Sequence, residues 1–425
     1  MTTADQLLLR VLNAYYTAAP LSLSAPIAPS EWNALIEAAR RQHVLPLVAE
    51  VFSEAPETLL SVPAAGFVPK GDTGEKASAN SLQTVRETAF RLVYLQTVRS
   101  CAFLSAYRSL ASQGIRPAVV KGIVLRMLCP QPDHRISTDE DLFLPDPAEY
   151  RACIDALPAL GFRLISADGD SSAEASFFDP AHGLKLEVHR HLFPDTLING
   201  CDLNAPFSAP SFRTLTAPDG TELVTLDHTE HLLFLLLHAM KHFIYSGFGI
   251  RQLCDICVYV NAFGAEIDWE RIFRLSAGVK AEIFTEALLS AGESALFLRP
   301  DLVLTETLQN RTHADFSPLL EDMMAGGVYG SADPNRLHSS RFTLKTAAGQ
   351  PGAGFWASIF PPRSSLTASF PCLVKYPWLL PAAWSARIAR YGVSVLKSGK
   401  QVSAAESIRI GKKRSALLAR YGITR

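Results

Sequence analysis

Asp139, Glu140 and Asp141 stand in a row at what reads as the front of a strand. Along a strand, positions i and i+2 point to the same side, so Asp139 and Asp141 reach one point in space. Further on, Leu184-Lys-Leu-Glu187-Val-His189 alternates as a half-buried strand does and brings a third acid, Glu187. Three converging carboxylates repel one another and stay ionised together only around a cation such as Mg²⁺, with Mn²⁺ as the alternative. Such a set clamps the attacking and leaving oxygens of phosphoryl or nucleotidyl transfer. An isolated Asp-X-Asp is common in surface turns; its company decides its meaning. Upstream, Lys121-Gly122 closes a short strand and opens a helix. A helix start offers N–H groups to a phosphate, and glycine lets the backbone come close.

The elements that position these residues are legible in outline. Residues 1–114 read as mostly helical, with Ser30 as N-cap of a helix over 31–42, an apolar run at 44–51 and a loop at 63–80. A long helix over 81–112 stops near Gly114. From Ile115 the texture changes to strands at 117–121, 141–144, 162–166, 175–178 and 184–189, with helices at 123–128 and 148–160 between them. After Asp227 helices return at 228–243, 250–263 and 281–298. The Gly-, Pro- and Ser-rich stretch 347–368 reads as a linker. The expected fold class is α+β, a small mixed sheet with flanking helices inside mostly helical segments. The expected units are residues 1–114, 115–210, 211–346 and 347–425.

Composition narrows the setting. A chain of 425 residues exceeds one ordinary core, and 48% hydrophobic with 19% charged residues describes a globular protein. No apolar run approaches the roughly 18 residues of a membrane helix, and the first residues lack the basic start of a signal peptide. Seven scattered cysteines do not form a disulfide framework, so a cytoplasmic protein is expected. Cys254 and Cys257 fall within a helical run and read as two small buried residues. The net charge of −1 conceals an asymmetry: residues 375–425 hold eleven Lys/Arg against Glu406 alone. That basic arm suits nucleic acid, a phosphorylated substrate, an anionic membrane, or simply a solvated helix face. Its first part, Tyr376 to Tyr391, is expected to dock on the helical body, and the residues beyond Ser398 to be mobile or partner-binding.

The order of these features, phosphate seat, Asp-X-Asp strand, then a third acid on a later strand, is that of the DNA polymerase beta-like nucleotidyltransferases. The chain resembles one branch of that superfamily, the uncharacterised nucleotidyltransferases, across roughly residues 30–392. The resemblance rests on Val119-Val-Lys-Gly122, on Arg135-Ile-Ser-Thr-Asp139-Glu-Asp141-Leu-Phe-Leu-Pro and on Leu186-Glu187-Val-His189. It continues through His238-Ala-Met-Lys241-His242, Arg251-Gln-Leu-Cys-Asp255, Gly326-Gly-Val-Tyr-Gly330 and Tyr376-Pro-Trp-Leu-Leu-Pro381. Two departures stand out. The superfamily carries Gly-Ser at the phosphate seat where this chain has Lys121-Gly122-Ile123, and Glu187 stands where Asp is more usual.

The resemblance implies a polymerase beta-like core with Asp139, Asp141 and Glu187 as catalytic and metal-binding residues. A nucleoside triphosphate, ATP among them, would meet Lys121, Gly122, Arg135, His189, Lys241, His242 and Arg251. Arg135 either faces phosphate or braces the Asp-X-Asp loop, and Asp255 is expected to orient Arg251 one turn away. His189 shares the face of Glu187 and either orients substrate, exchanges a proton or makes a structural hydrogen bond. His231, His238 and His242 share one helix face, a pattern better suited to a polar seam than to zinc. The expected reaction moves a nucleoside monophosphate to an acceptor hydroxyl, on a small molecule or a protein, with Glu187 as base and pyrophosphate as leaving group. A phosphotransferase on the same metal cage, or a non-catalytic nucleotide-binding protein docking through its basic arm, are the rival readings.

Overall fold

The computed structural model describes residues 1–54, 81–167, 173–195, 198, 200–245, 247–303, 315–328, 336, 360, 362–363, 366–367, 370–387 and 404–424. The loop expected at 63–80 lies outside them, as does most of the expected linker. The N-terminal helices are α1 (Thr3–Thr17), α2 (Pro29–Arg41) and α3 (Leu45–Glu54), followed by the 31-residue α4 (Leu82–Ser112). Ser81 caps α4 by accepting from Thr84 N–H at 3.2 Å. Ser30 does not cap α2; the helix begins earlier, with Pro29 in its first turn and Glu31 reaching back to Ala28 N–H at 3.1 Å.

The strands are β1 (Ala118–Val119), β2 (Asp139–Phe143), β3 (Arg163–Ala167), β4 (Glu174–Asp179), β5 (Leu184–His189), β6 (Phe212–Thr216) and β7 (Glu222–Leu226). They form one mixed open sheet in the order β3-β4-β5-β2-β1-β7-β6. The pairs β2/β5 and β1/β7 are parallel and the others antiparallel. The β6–β7 hairpin turns at Ala217-Pro-Asp-Gly220, where Gly220 takes φ +84°. Short α5 (Ile123–Arg126) follows β1, and α6 (Pro147–Ala156) links β2 to β3.

Alternation along the strands sorts the sheet into two faces. Leu142, Leu186 and Val188 pack with Phe103, Tyr107 and Leu110 of α4 and with Tyr150 and Cys153 of α6. The opposite face, which carries Asp139, Asp141 and Phe143, turns toward the helical body. That body comprises α7 (His228–Tyr245), α8 (Ile250–Phe263), α9 (Trp269–Gly278) and α10 (Glu282–Ala295), with α11 (Ser317–Gly326) beyond. Its core joins the N-terminal helices to α7, α8 and α10 and reaches the sheet through Ala118, Val120, Phe143 and Leu226. The architecture is α+β, as expected. No described helix is long and apolar enough to cross a membrane. Cys254 and Cys257 are free and fully buried in α8, where burial pushes both thiols well up.

The C-terminal arm departs from expectation. The sequence predicts that Tyr376 to Tyr391 docks on the helical body and that the residues beyond Ser398 are mobile or partner-binding. Instead Tyr376 and Trp378 are exposed, and their neighbours Leu366, Leu373 and Ala383 form a small cluster of their own around the short α12 (Cys372–Lys375). The distal helix α13 (Ala404–Arg420) and the turn after it do the docking: Leu417 and Leu418 of the helix, then Tyr421 and Ile423, join the main core. Leu417, Leu418 and Tyr421 look scattered among charges in sequence but fall at helical spacing, so they share one side.

Candidate active site

The acidic triplet is divided by the pleat. In the β2/β5 register Asp141 stands opposite Glu187 and Asp139 opposite Lys185. On the next strand over, Ser176 pairs with Glu187 and Glu174 with His189. Asp139, Asp141, Glu187, His189 and Glu174 therefore share the face that meets α7 and α8. Ligand atoms of Asp141, Glu187 and His189 all lie within 4.8 Å of one another. Asp139 lines the same cleft but stands outside this tightest group.

Glu140 points the other way and does a different job. Its carboxylate is buried, forms an ion pair with Arg126, and accepts from Ile123 N–H at 2.8 Å. Arg126 also donates to Ser137 Oγ at 2.6 Å. Burial raises the pKa of Glu140 against the pull of Arg126 and the backbone amide. The start of α5, expected to cradle a phosphate, is thus filled from within by the chain's own carboxylate. The glycine there answers to the same group. Gly122 takes φ +56°, and a Cβ on it would sit 1.8 Å from Glu140 Oε2. Gly122→Ala should therefore destabilise the fold by roughly 3 kcal/mol or more, since displacing Glu140 strands a buried guanidinium. A thermal unfolding curve matching the wild type would show that the carboxylate can move aside freely.

Lys121, by contrast, faces the cleft. Its ammonium lies 2.9 Å from Asp141 Oδ1 and 3.3 Å from His238 Nε2. His242 Nε2 approaches the same His238 nitrogen at 2.9 Å. An ammonium only donates, so in its contact with Lys121 the His238 Nε2 accepts and His238 is neutral. Burial and the nearby Lys121 hold the pKa of His238 well down, and burial with Lys241 and Lys121 lowers that of His242 to about 3. Lys241 is itself lowered, by burial first and then by Lys121. Lys121, just after β1, and Lys241, on α7, thus bring ammonium groups close enough to repel one another, an arrangement that an anion would relieve. His231, the third of the series, belongs elsewhere. It is fully buried, with Nε2 at 2.6 Å from Val120 O and Nδ1 at 3.1 Å from Thr225 Oγ1, so it ties α7 to the sheet.

Asp141 is the most constrained acid. Burial opposes its ionisation, but Lys121 and His189 prevail and hold its pKa well below the usual carboxylate range. His189 Nε2 lies 3.3 Å from Asp141 Oδ1, while the buried Oδ2 has no hydrogen-bond partner. A carboxylate oxygen left over beside Glu187 and His189 is what a divalent cation would engage, so these residues fit the metal that such chemistry uses. Lys185 pairs with Glu187 from the flank; burial pulls its pKa down, but the Glu187 hydrogen bond and the charges of Glu187, Asp139 and Glu174 together raise it.

The loop before β2 is braced. Arg135 donates to both oxygens of Asp255, at 2.6 and 2.8 Å, in a buried bidentate pair. Asp255 was expected to orient Arg251; both its oxygens accept from Arg135 instead, because α8 packs directly on this loop. Of the two roles weighed for Arg135, the structure shows the bracing one. Arg251 donates to Ile136 O and lines the cleft with Lys121, Asp139, Asp141 and His238. Ser137 N–H is held by Gln96 Oε1 at 2.8 Å, a contact 41 positions apart that no local pattern announces.

A family model described as uncharacterised nucleotidyltransferase matches residues 28–291, more than half of the chain. The chain belongs to this family of uncharacterised nucleotidyltransferases. No curated protein and no solved structure matches it. The match takes in the whole sheet, the Asp-X-Asp strand and the α7–α8 wall, and it ends inside α10.

Proposed function

We propose that this nucleotidyltransferase moves a nucleoside monophosphate from a nucleoside triphosphate to an acceptor hydroxyl, with release of pyrophosphate. The observation that carries the reading is Asp141, an ionised buried carboxylate with one uncommitted oxygen beside Glu187, facing the cationic wall of Lys121, Lys241 and Arg251. Asp141 and Glu187, with Asp139 at the mouth, would hold the divalent cation. When bound, that ion neutralises charge developing on the transferring phosphoryl oxygens and orients the attacking hydroxyl.

The protein's own groups account for the remaining tasks. Lys121, Lys241 and Arg251 bind triphosphate oxygens, with Arg251 able to engage two at once. The enclosed part of the cleft has only about 30 Å³ of free space, room for about one water. The triphosphate therefore lies outside this enclosed part, on the open side of the cleft. The acceptor oxygen attacks the α-phosphorus, the bond to the bridging oxygen breaks, and Glu187 takes the hydroxyl proton. The two neutral histidines, His238 and His242, hold Lys121 in place without adding charge.

A screen of nucleoside triphosphates with Mg²⁺ and Mn²⁺, scored for pyrophosphate against candidate acceptors, tests the reading. Release of nucleoside diphosphate instead would identify a phosphotransferase, and metal-dependent binding without any turnover would identify a binding protein. Lys121→Met should weaken nucleotide binding by about ten- to a hundredfold, the worth of one charge-assisted contact. A nucleotide titration with unchanged affinity would remove Lys121 from the phosphate-binding set.

A further inference from the structure

The cation seat is not made of carboxylates alone. His189 Nε2 lies 3.3 Å from Asp141 Oδ1 and 3.7 Å from Glu187 Oε2, so an imidazole nitrogen stands among the oxygens themselves. The other ring nitrogen, Nδ1, looks at Glu174 Oε2, 3.7 Å away on the neighbouring strand. Metal-bound histidines are built this way: one nitrogen ligates, and the other N–H is aimed at a carboxylate that fixes tautomer and ring orientation. His189 is 6% exposed, and its place at the end of β5, directly across from Glu174, leaves the ring little freedom to turn away.

We propose that His189 is a metal ligand through Nε2, and that the site consequently takes a first-row transition divalent ion such as Mn²⁺ in preference to Mg²⁺. This rests on the reading of the cleft as a metal-dependent transferase site and names the class of ion it uses. The physical ground is donor chemistry. Mg²⁺ demands near-octahedral oxygen ligation and sheds water reluctantly, whereas imidazole nitrogen suits the transition ions. Asp141 Oδ2 and Glu187 supply oxygen, His189 supplies nitrogen, and Glu174 acts as a positioning residue for the ring.

Metal binding to the full-length protein without nucleotide separates the possibilities. Mn²⁺ and Mg²⁺ affinities are measured by calorimetry and competition, and bound Mn²⁺ is probed by pulsed EPR for coupling to an imidazole nitrogen. The expected result is Mn²⁺ about tenfold or more tighter than Mg²⁺, with one nitrogen coupling. His189→Asn should lose the coupling and bring the two affinities together. Glu174→Gln, a change at a partly exposed side chain, should keep the coupling while lowering Mn²⁺ affinity by about tenfold. Bound Mn²⁺ without nitrogen coupling, or a preference that survives His189→Asn, overturns the histidine ligand; if Asp141→Asn still abolishes that binding, the carboxylate seat stands. A wild-type protein that binds neither ion overturns both the ligand and the transferase reading beneath it.

Discussion

Asp141→Asn is expected to abolish turnover while leaving a folded protein. A carboxamide keeps the shape of the side chain but is a poor ligand for a divalent cation, and it no longer balances the ammonium of Lys121 2.9 Å away. The loss should be at least about 10³-fold in turnover, on the scale of removing one preorganised electrostatic group from a transferase site. Stability should fall much less, because Asn still accepts from Lys121 and His189. Asp139→Asn should be the milder variant: Asp139 is half-buried, stands opposite Lys185, and lies outside the group formed by Asp141, Glu187 and His189. The measurements are pyrophosphate release under the best conditions of the nucleotide screen and a thermal melt of each variant. Full activity in Asp141→Asn would sink the site assignment, and a large drop in melting temperature with metal-independent behaviour would mark Asp141 as structural.

The same acids show how much the sequence could and could not tell. Alternation along 184–189 and the Asp-X-Asp spacing placed Asp141 and Glu187 on one sheet face, because a strand's period of two is a local property. That β2 and β5 are parallel neighbours in direct register is a long-range fact with no local trace. Glu140 was invisible as a structural residue for the same reason: only the partner 14 positions back, Arg126, shows why it is buried. Arg135 and Asp255 brace the cleft across 120 positions, whereas a helical i, i+4 rule pointed to Arg251. The β6–β7 hairpin carried its signal openly in Pro218-Asp-Gly220, yet its strands Phe212–Thr216 and Glu222–Leu226 lie outside any expected strand. They add the two strands beyond β1, so the sheet runs on to Leu226.

Truncation after Ser398 is the second large effect, and it reverses what composition implied. A stretch dense in Lys and Arg reads as dispensable surface, but helix α13 sets apolar residues and one arginine against the core and keeps other charges outside. Lys412, Lys413 and Arg420 are exposed, while Leu417, Leu418, Tyr421 and Ile423 are buried in the main core. The Tyr421 ring lies 6.2 Å from that of Phe243 and 6.4 Å from that of Phe284, and its hydroxyl donates to Asp315 O and accepts from Leu319 N–H. Arg414, 1% exposed, donates to the carbonyls of Phe243 and Tyr245 and so secures the end of α7. Fully burying a large apolar side chain contributes roughly 1.5–3 kcal/mol, so losing four of them removes an amount comparable to the roughly 5–15 kcal/mol that keeps a domain folded. The ordering entropy of the helix offsets part of this, but the truncated protein also exposes Phe243 and Phe284 to water. The expected outcome is a protein that is insoluble or melts far below the full-length chain. Tyr421→Ala gives a graded version, at about 3–5 kcal/mol, the usual cost of deleting a buried aromatic ring. A shortened chain with an unchanged melting temperature would mean that α13 adds nothing to the core. If it also still bound nucleotide, the basic arm would return to its first reading as a separate, partner-facing segment.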